Sequence, residues 1–120
     1  MNDRLEPRIR ILLGSSIAIG PGKAALLEAI GETGSITAAG RRMGMSYRRA
    51  WVLAKTMNAS FRNPLIEATK GGIDGGGARL TAMGREVLAL YRTMEDHVAA
   101  AVTSDMARLR ALMVEQPPED

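Results

Sequence analysis

The stretch GSITAAGRRMGMSYRRAW, Gly34 to Trp51, decides how this chain of 120 residues is read. Thr37, or failing it Ser35, can accept a hydrogen bond from a free amide at the start of a short helix. Ala38, Ala39 and Met43 give that helix a compact buried face. Gly44 supplies a left-handed turn, and Ser46 caps another helix two residues later. Two short helices joined by a Gly-containing turn of about three residues form a helix-turn-helix pattern.

The second of these helices is predicted from Tyr47 to about Phe61. With about 100° of rotation per residue, Ala50, Ala54, Met57 and Phe61 fall on one side, and Arg48, Val52, Lys55 and Ala59 fall opposite, flanked by Arg49 and Thr56. The chain has one Trp, two Tyr and one Phe, and Tyr47 and Trp51 stand within five residues of each other, around two arginines. Trp51 sits between the two faces, where it either packs on a neighbouring element or touches a base or sugar.

Working outward, Asn63-Pro64 ends that helix, because the residue before proline avoids helical angles. LIEAT, Leu65 to Thr69, then alternates as a strand, KGGIDGGG forms a turn, and ARL, Ala78 to Leu80, is the return strand. A β-hairpin after a helix-turn-helix is a wing. Upstream, Arg8 to Leu13 alternates with Ile9, Ile11 and Leu13 on one face. Gly20-Pro21-Gly22 breaks the chain, and Pro21 suits the first turn of a helix with Ala25, Leu26, Ala29 and Ile30 as its stripe and Gly31 near its end. Downstream, Thr81 caps a last helix on which Val87, Tyr91, Met94, Val98 and Ala101 recur at steps of four and three, a seam fit for a partner helix. The predicted fold is α+β: one winged helix-turn-helix domain over 1–120. Its helix-turn-helix spans about 37–60, its β-hairpin wing about 65–80, and a long C-terminal dimerisation helix about 82–114.

Charge supports a polyanionic partner. The net charge is +3, but residues 41–80 hold eight basic side chains against Glu67 and Asp74, whereas residues 81–120 carry an acidic excess. Absence of Cys excludes disulfides, Cys-based zinc sites and thiol chemistry. Arg4, Arg8 and Arg10 before Ile11 to Ile19 resemble a secretory leader, but Gly14, Ser15 and Ser16 break the apolar run, and the expected location is cytoplasmic. No stretch approaches the ~18 apolar residues of a membrane span.

Catalysis has little to stand on. GPGKAA, Gly20 to Ala25, matches a dinucleotide-loop pattern, yet the acidic residue required about 20 positions on is replaced by Ala39-Gly40-Arg41-Arg42. KGGIDGGG lacks the Gly-Lys-Ser/Thr ending of a phosphate loop. His97, the single histidine, falls beside the seam of the last helix. The chain is therefore expected to be a non-enzyme without cofactor.

DNA binding draws several features together. Ser46 places helix amides where they can meet a phosphate, and Tyr47, Arg48 and Arg49 project from the turn of a recognition helix that reaches base edges. Val52 shares that exposed face, Lys55 is a candidate phosphate contact, and Lys70 and Arg79 flank the glycine turn of the wing. With Thr37 and Ser46, these residues are the candidate DNA contacts.

GSITAAGRRMGMSYRRAW, then Met57-Asn58, then LIEATKGGIDGGGARLTAMGREVLALY, resembles the N-terminal domain of the molybdate-responsive (ModE-type) transcription regulators, winged helix-turn-helix proteins related to the LysR type. The motif SY-x-x-AW is met at Ser46, Tyr47, Ala50 and Trp51, and ATxGGxxGGGAxLT at Ala68 to Thr81. The resemblance implies a homodimer on double-stranded DNA, joined partly through the last helix. Family members continue into C-terminal oxyanion-binding domains that sense molybdate. This chain stops at Asp120, so a regulator lacking the oxyanion-sensing domain, with no metal or molybdate site, is expected. A winged-helix protein-interaction or dimerisation module is the alternative.

Overall fold

The computed structural model describes residues 5–69 and 77–118. In chain order it contains strands β1 (Ile11–Leu13) and β2 (Ser16–Ile19), then helices α1 (Pro21–Thr33), α2 (Ile36–Arg42) and α3 (Tyr47–Ser60). Strands β3 (Ile66–Thr69) and β4 (Gly77–Leu80) and helices α4 (Ala82–Ala101) and α5 (Thr103–Leu112) follow. The two pairs of strands form separate antiparallel sheets, β1-β2 and β3-β4. The result is a winged helix-turn-helix of α+β class.

Its main core lies between three helices and the inner face of the wing. Leu26, Leu27 and Ile30 of α1 meet Ile36 and Ala39 of α2, Ala50, Ala54 and Met57 of α3, and Leu65, Ile66, Ala78 and Leu80 from the wing. Small residues set the crossing of α2 and α3: a Cβ on Gly40 would lie 2.7 Å from that of Ala50, so the two helices approach as closely as a glycine permits. Gly44, at φ 70°, makes the turn between them. That turn and contact fix the direction in which α3 leaves the body.

Two helix ends differ from the sequence reading. α1 continues past Gly31 to Thr33 and stops at Gly34, whose left-handed backbone (φ 75°) lets its N–H reach the Ile30 carbonyl at 2.9 Å. Gly31 stays helical, and the Leu80 side chain fills the space a Cβ there would need, 3.2 Å away. Ser35, rather than Thr37, caps α2 by accepting from the Ala38 N–H at 3.1 Å. Thr37 is the second residue of the helix, past the position from which a side chain caps the first turn.

The N-terminal strand also departs from expectation. The chain turns at Gly14 (φ 65°) and returns as β2, so a hairpin stands where one strand over Arg8 to Leu13 was expected. A bulge between Ile11 and Leu12 reverses the alternation. Ile9 and Ile11 pack inward against Ile19, Ala24 and Tyr91, while Leu13 is left 69% exposed.

The last helix is interrupted. Thr81 caps it as expected, accepting from the Gly84 N–H at 2.9 Å and donating to the Pro64 carbonyl. At Val102 (φ −105°, ψ 11°) the α-helical run breaks, and α5 carries on to Leu112 instead of reaching 114. Two β-branched residues in sequence, Val102 and Thr103, weaken the helix there, and the Thr103 hydroxyl takes the Ala99 carbonyl at 2.9 Å.

Two members of the expected seam are spent inside the chain. Tyr91 is 2% exposed and donates its hydroxyl to the Ile9 carbonyl at 2.7 Å, which ties the N-terminal segment to α4; burial pushes its phenol pKa up. Val87 packs against both core clusters. Arg92 adds ion pairs to Glu28 of α1 and to Glu95 on its own helix. Met94 and Val98 are half-buried and Ala101 is exposed, so the seam begins beyond the point where α1 supports α4.

Candidate nucleic-acid interface

α3 is anchored at both ends by side chains. At its start the Ser46 hydroxyl accepts from the Arg49 N–H at 3.1 Å, as the sequence predicts. Replacing Ser46 by Ala leaves that amide to water, and we expect the unfolding free energy to fall by about 1 kcal/mol, read as a lower urea midpoint at unchanged slope. Near its end, Asn58 fastens the wing. Its Oδ1 accepts from the Leu65 and Ile66 N–H groups at 2.9 and 3.0 Å, and its Nδ2 donates to the Ile66 carbonyl at 3.0 Å.

Between these anchors, α3 buries Ala50, Ala54 and Met57 and presents Arg48, Arg49, Val52 and Lys55 to solvent. Arg48, Arg49 and Lys55 form no ion pair among the described residues. The basic excess of the middle third is thus free on this helix, whereas Arg42 is paired with Glu32 on the surface of the body. Free cations on one exposed helical face form a patch suited to phosphate and base-edge acceptors.

The wing lies beside this face. In the β3-β4 register Ile66 faces Leu80 and Glu67 faces Arg79. Ile66, Ala78 and Leu80 turn inward, so Glu67 and Arg79 occupy the outer face of the hairpin. There the Arg79 Nε donates to Glu67 Oε1 at 2.6 Å. Arg79 is exposed, as a DNA contact requires, and its charge is shared with the Glu67 carboxylate. Lys70, the other expected wing contact, lies outside the described residues, as does most of the turn.

An open groove of about 790 Å³ separates α3 from the wing. Tyr47, Trp51, Lys55 and Asn58 line one wall and Ile66, Ala68 and Ala78 the other. Trp51, 43% exposed, leans toward the Tyr47 ring at a centroid distance of 6.0 Å. Trp51 thus stands at the boundary between the two faces and lines the groove. Thr37 is half-buried inside α2 and does not line the groove.

Asn58 escaped the sequence reading. Asn is a poor helix former, and its place in the last turn before a break signals a side chain bonded to backbone elsewhere. Among the described residues no group of three or more His, Cys, Asp or Glu is placed to hold a metal ion. In the same residues, no helix is long and apolar enough to cross a membrane.

Comparison with known proteins places this geometry. Residues 23–85 match the family described as bacterial regulatory helix-turn-helix protein, lysR family. The chain belongs to that family. The matched segment runs from α1 through the start of α4, and so holds the helix-turn-helix and the wing that this lysR-family chain folds around its core. The molybdenum-pterin-binding protein MopB of Rhodobacter capsulatus is 42% identical over 94 residues, which cover 78% of this chain and 35% of MopB. The DNA-binding transcriptional dual regulator ModE of Escherichia coli is 34% identical over 86 residues, covering 72% of this chain and 33% of ModE. The chain thus spans about a third of the length of these curated relatives. In the crystal structure of the CbnR DBD–DNA complex, a chain 23% identical shares the fold with a TM-score of 0.56, covering 75% of this chain and 95% of that one.

Proposed function

We propose that this lysR-family chain binds double-stranded DNA as the DNA-binding part of a transcriptional regulator, with α3 in the major groove and the wing beside it. The carrying observation is the exposed face of α3, where Arg48, Arg49 and Lys55 stand without ion-pair partners among the described residues, behind a Ser46-capped first turn. Arg48 and Arg49, in that first turn, are the base-edge candidates, because a guanidinium can donate twice to guanine O6 and N7. Lys55, two turns on, is the phosphate contact. The functional unit is a cytoplasmic homodimer joined through the distal part of α4 and α5, and the protein is a regulator rather than an enzyme.

Salt dependence tests the DNA reading. Anisotropy of a labelled duplex titrated between about 50 and 200 mM salt should show affinity falling steeply as counterions return to the phosphates. Lys55→Ala should weaken cognate and scrambled duplexes alike and lower the salt slope by about one. A slope near zero in the wild-type protein would contradict the proposal.

The apolar groove between α3 and the wing favours one other reading, a protein-interaction module that takes an apolar segment between Trp51 and Ala78. Such a module has no counterions to release, and the same titration separates the two.

A further inference from the structure

Val52 occupies an unusual place for an aliphatic residue. It lies on α3 opposite the buried stripe of Ala50, Ala54 and Met57, and is 55% exposed. Its neighbours one turn away on that helix are Arg48, Arg49, Lys55 and Thr56. The three basic residues are exposed, and the Thr56 hydroxyl is turned back onto the Val52 carbonyl at 2.8 Å. Val52 is therefore the sole apolar side chain at the centre of a cationic face. It packs into neither core cluster, and as a β-branched residue it favours the helix less than alanine would. Its side chain borders the groove between α3 and the wing, and more than half of it is left to solvent.

The surface that the basic residues would meet offers one apolar group. In the major groove of B-DNA the base edges display donors, acceptors and the C5 methyl of thymine. We infer that Val52 is a specificity-determining residue that packs on a thymine methyl in the major groove, between the base edge read by Arg48 or Arg49 and the phosphate held by Lys55. The inference rests on the DNA reading above. It assigns Val52 a task that charge cannot perform, since cations steer and anchor, whereas a methyl contact tells thymine from cytosine.

Replacing thymine by 2′-deoxyuridine removes that methyl and keeps the O4 acceptor, which makes the test specific. The probe is the duplex recovered by selection from a random library, with each thymine replaced singly by deoxyuridine, titrated with wild-type protein and with Val52→Ala. At one thymine per half-site the wild-type protein should lose about fourfold in affinity, the worth of one buried methyl. Val52→Ala, which changes both subunits, should bind the thymine duplex about fourfold more weakly per half-site, or about sixteenfold on two half-sites, with an unchanged salt slope, and lose nothing further at that deoxyuridine. Wild-type binding indifferent to deoxyuridine at every position overturns the inference alone, and because it needs no variant it stands even if Val52→Ala folds poorly. Losses that simply add in Val52→Ala at every thymine also overturn it, since another residue then reads the methyl. A wild-type protein that binds no duplex overturns the DNA reading, and this inference with it.

Discussion

In the Val98→Glu protein we expect sedimentation at micromolar concentration to show a monomer, and affinity for a two-half-site duplex to fall by about 10²- to 10⁴-fold. The reason lies in how α4 is supported. Its first half rests on the body through Val87, Leu88 and the buried Tyr91, and Arg92 pairs with Glu28 of α1. Beyond that point Met94 and Val98 are half-buried and Ala101 is exposed, with Leu90 beside them 59% exposed. Leu109, Leu112 and Met113 continue the exposed apolar surface along and just beyond α5. A second copy laid along this arm would bury both stripes, and a carboxylate at Val98 would face its own symmetry mate in that apolar seam. Binding to a single half-site should change little, because α3 lies elsewhere. An unchanged dimer in the Val98→Glu protein would place the interface on another surface.

For Arg48→Ala and Arg49→Ala we expect losses of about 1–3 kcal/mol on the selected duplex if each arginine reads a base, together with relaxed preference at one position of the half-site. On scrambled duplexes the loss should be smaller, because a single phosphate contact is what remains to be lost there. Both arginines are exposed and form no ion pair among the described residues, so no pair seen there is broken by the substitution. Fluorescence anisotropy on the two duplexes decides the matter. Equal losses on cognate and scrambled DNA, matching those of Lys55→Ala, would reduce both arginines to phosphate anchors.

The parts of this fold that local rules govern were legible in the sequence. Gly44 had to take positive φ, Ser46 and Thr81 had to cap helices, and LIEAT and ARL on either side of a glycine-rich turn had to pair as strands. The errors concern choices that local rules leave open. Ser35 and Thr37 are chemically interchangeable caps, and the choice depends on where the tight turn after α1 ends. SIAI, Ser16 to Ile19, carries no clear alternation, so β2 is defined by its partner across Gly14 and not by its own pattern. Tyr91 fits the seam by spacing, and only the position of Ile9, 82 residues away in sequence, shows that its hydroxyl is satisfied within the same chain. Arg79 is exposed on the return strand, as its assignment to DNA needs, and its pairing with Glu67 comes from strand register, which the sequence leaves open. The helix break at Val102 follows from two adjacent β-branched residues, a signal weaker than the apolar spacing that runs through it.

Selection of bound sequences from a random duplex library tests the central claim most directly, because it asks about DNA binding, specificity and symmetry together. A two-fold dimer presenting two α3 helices to one side of the duplex should enrich an inverted repeat, with half-site centres about 34–36 Å apart or a multiple of that spacing. Recovery of no enriched sequence, in a library bound only at low salt or not at all, would contradict the account.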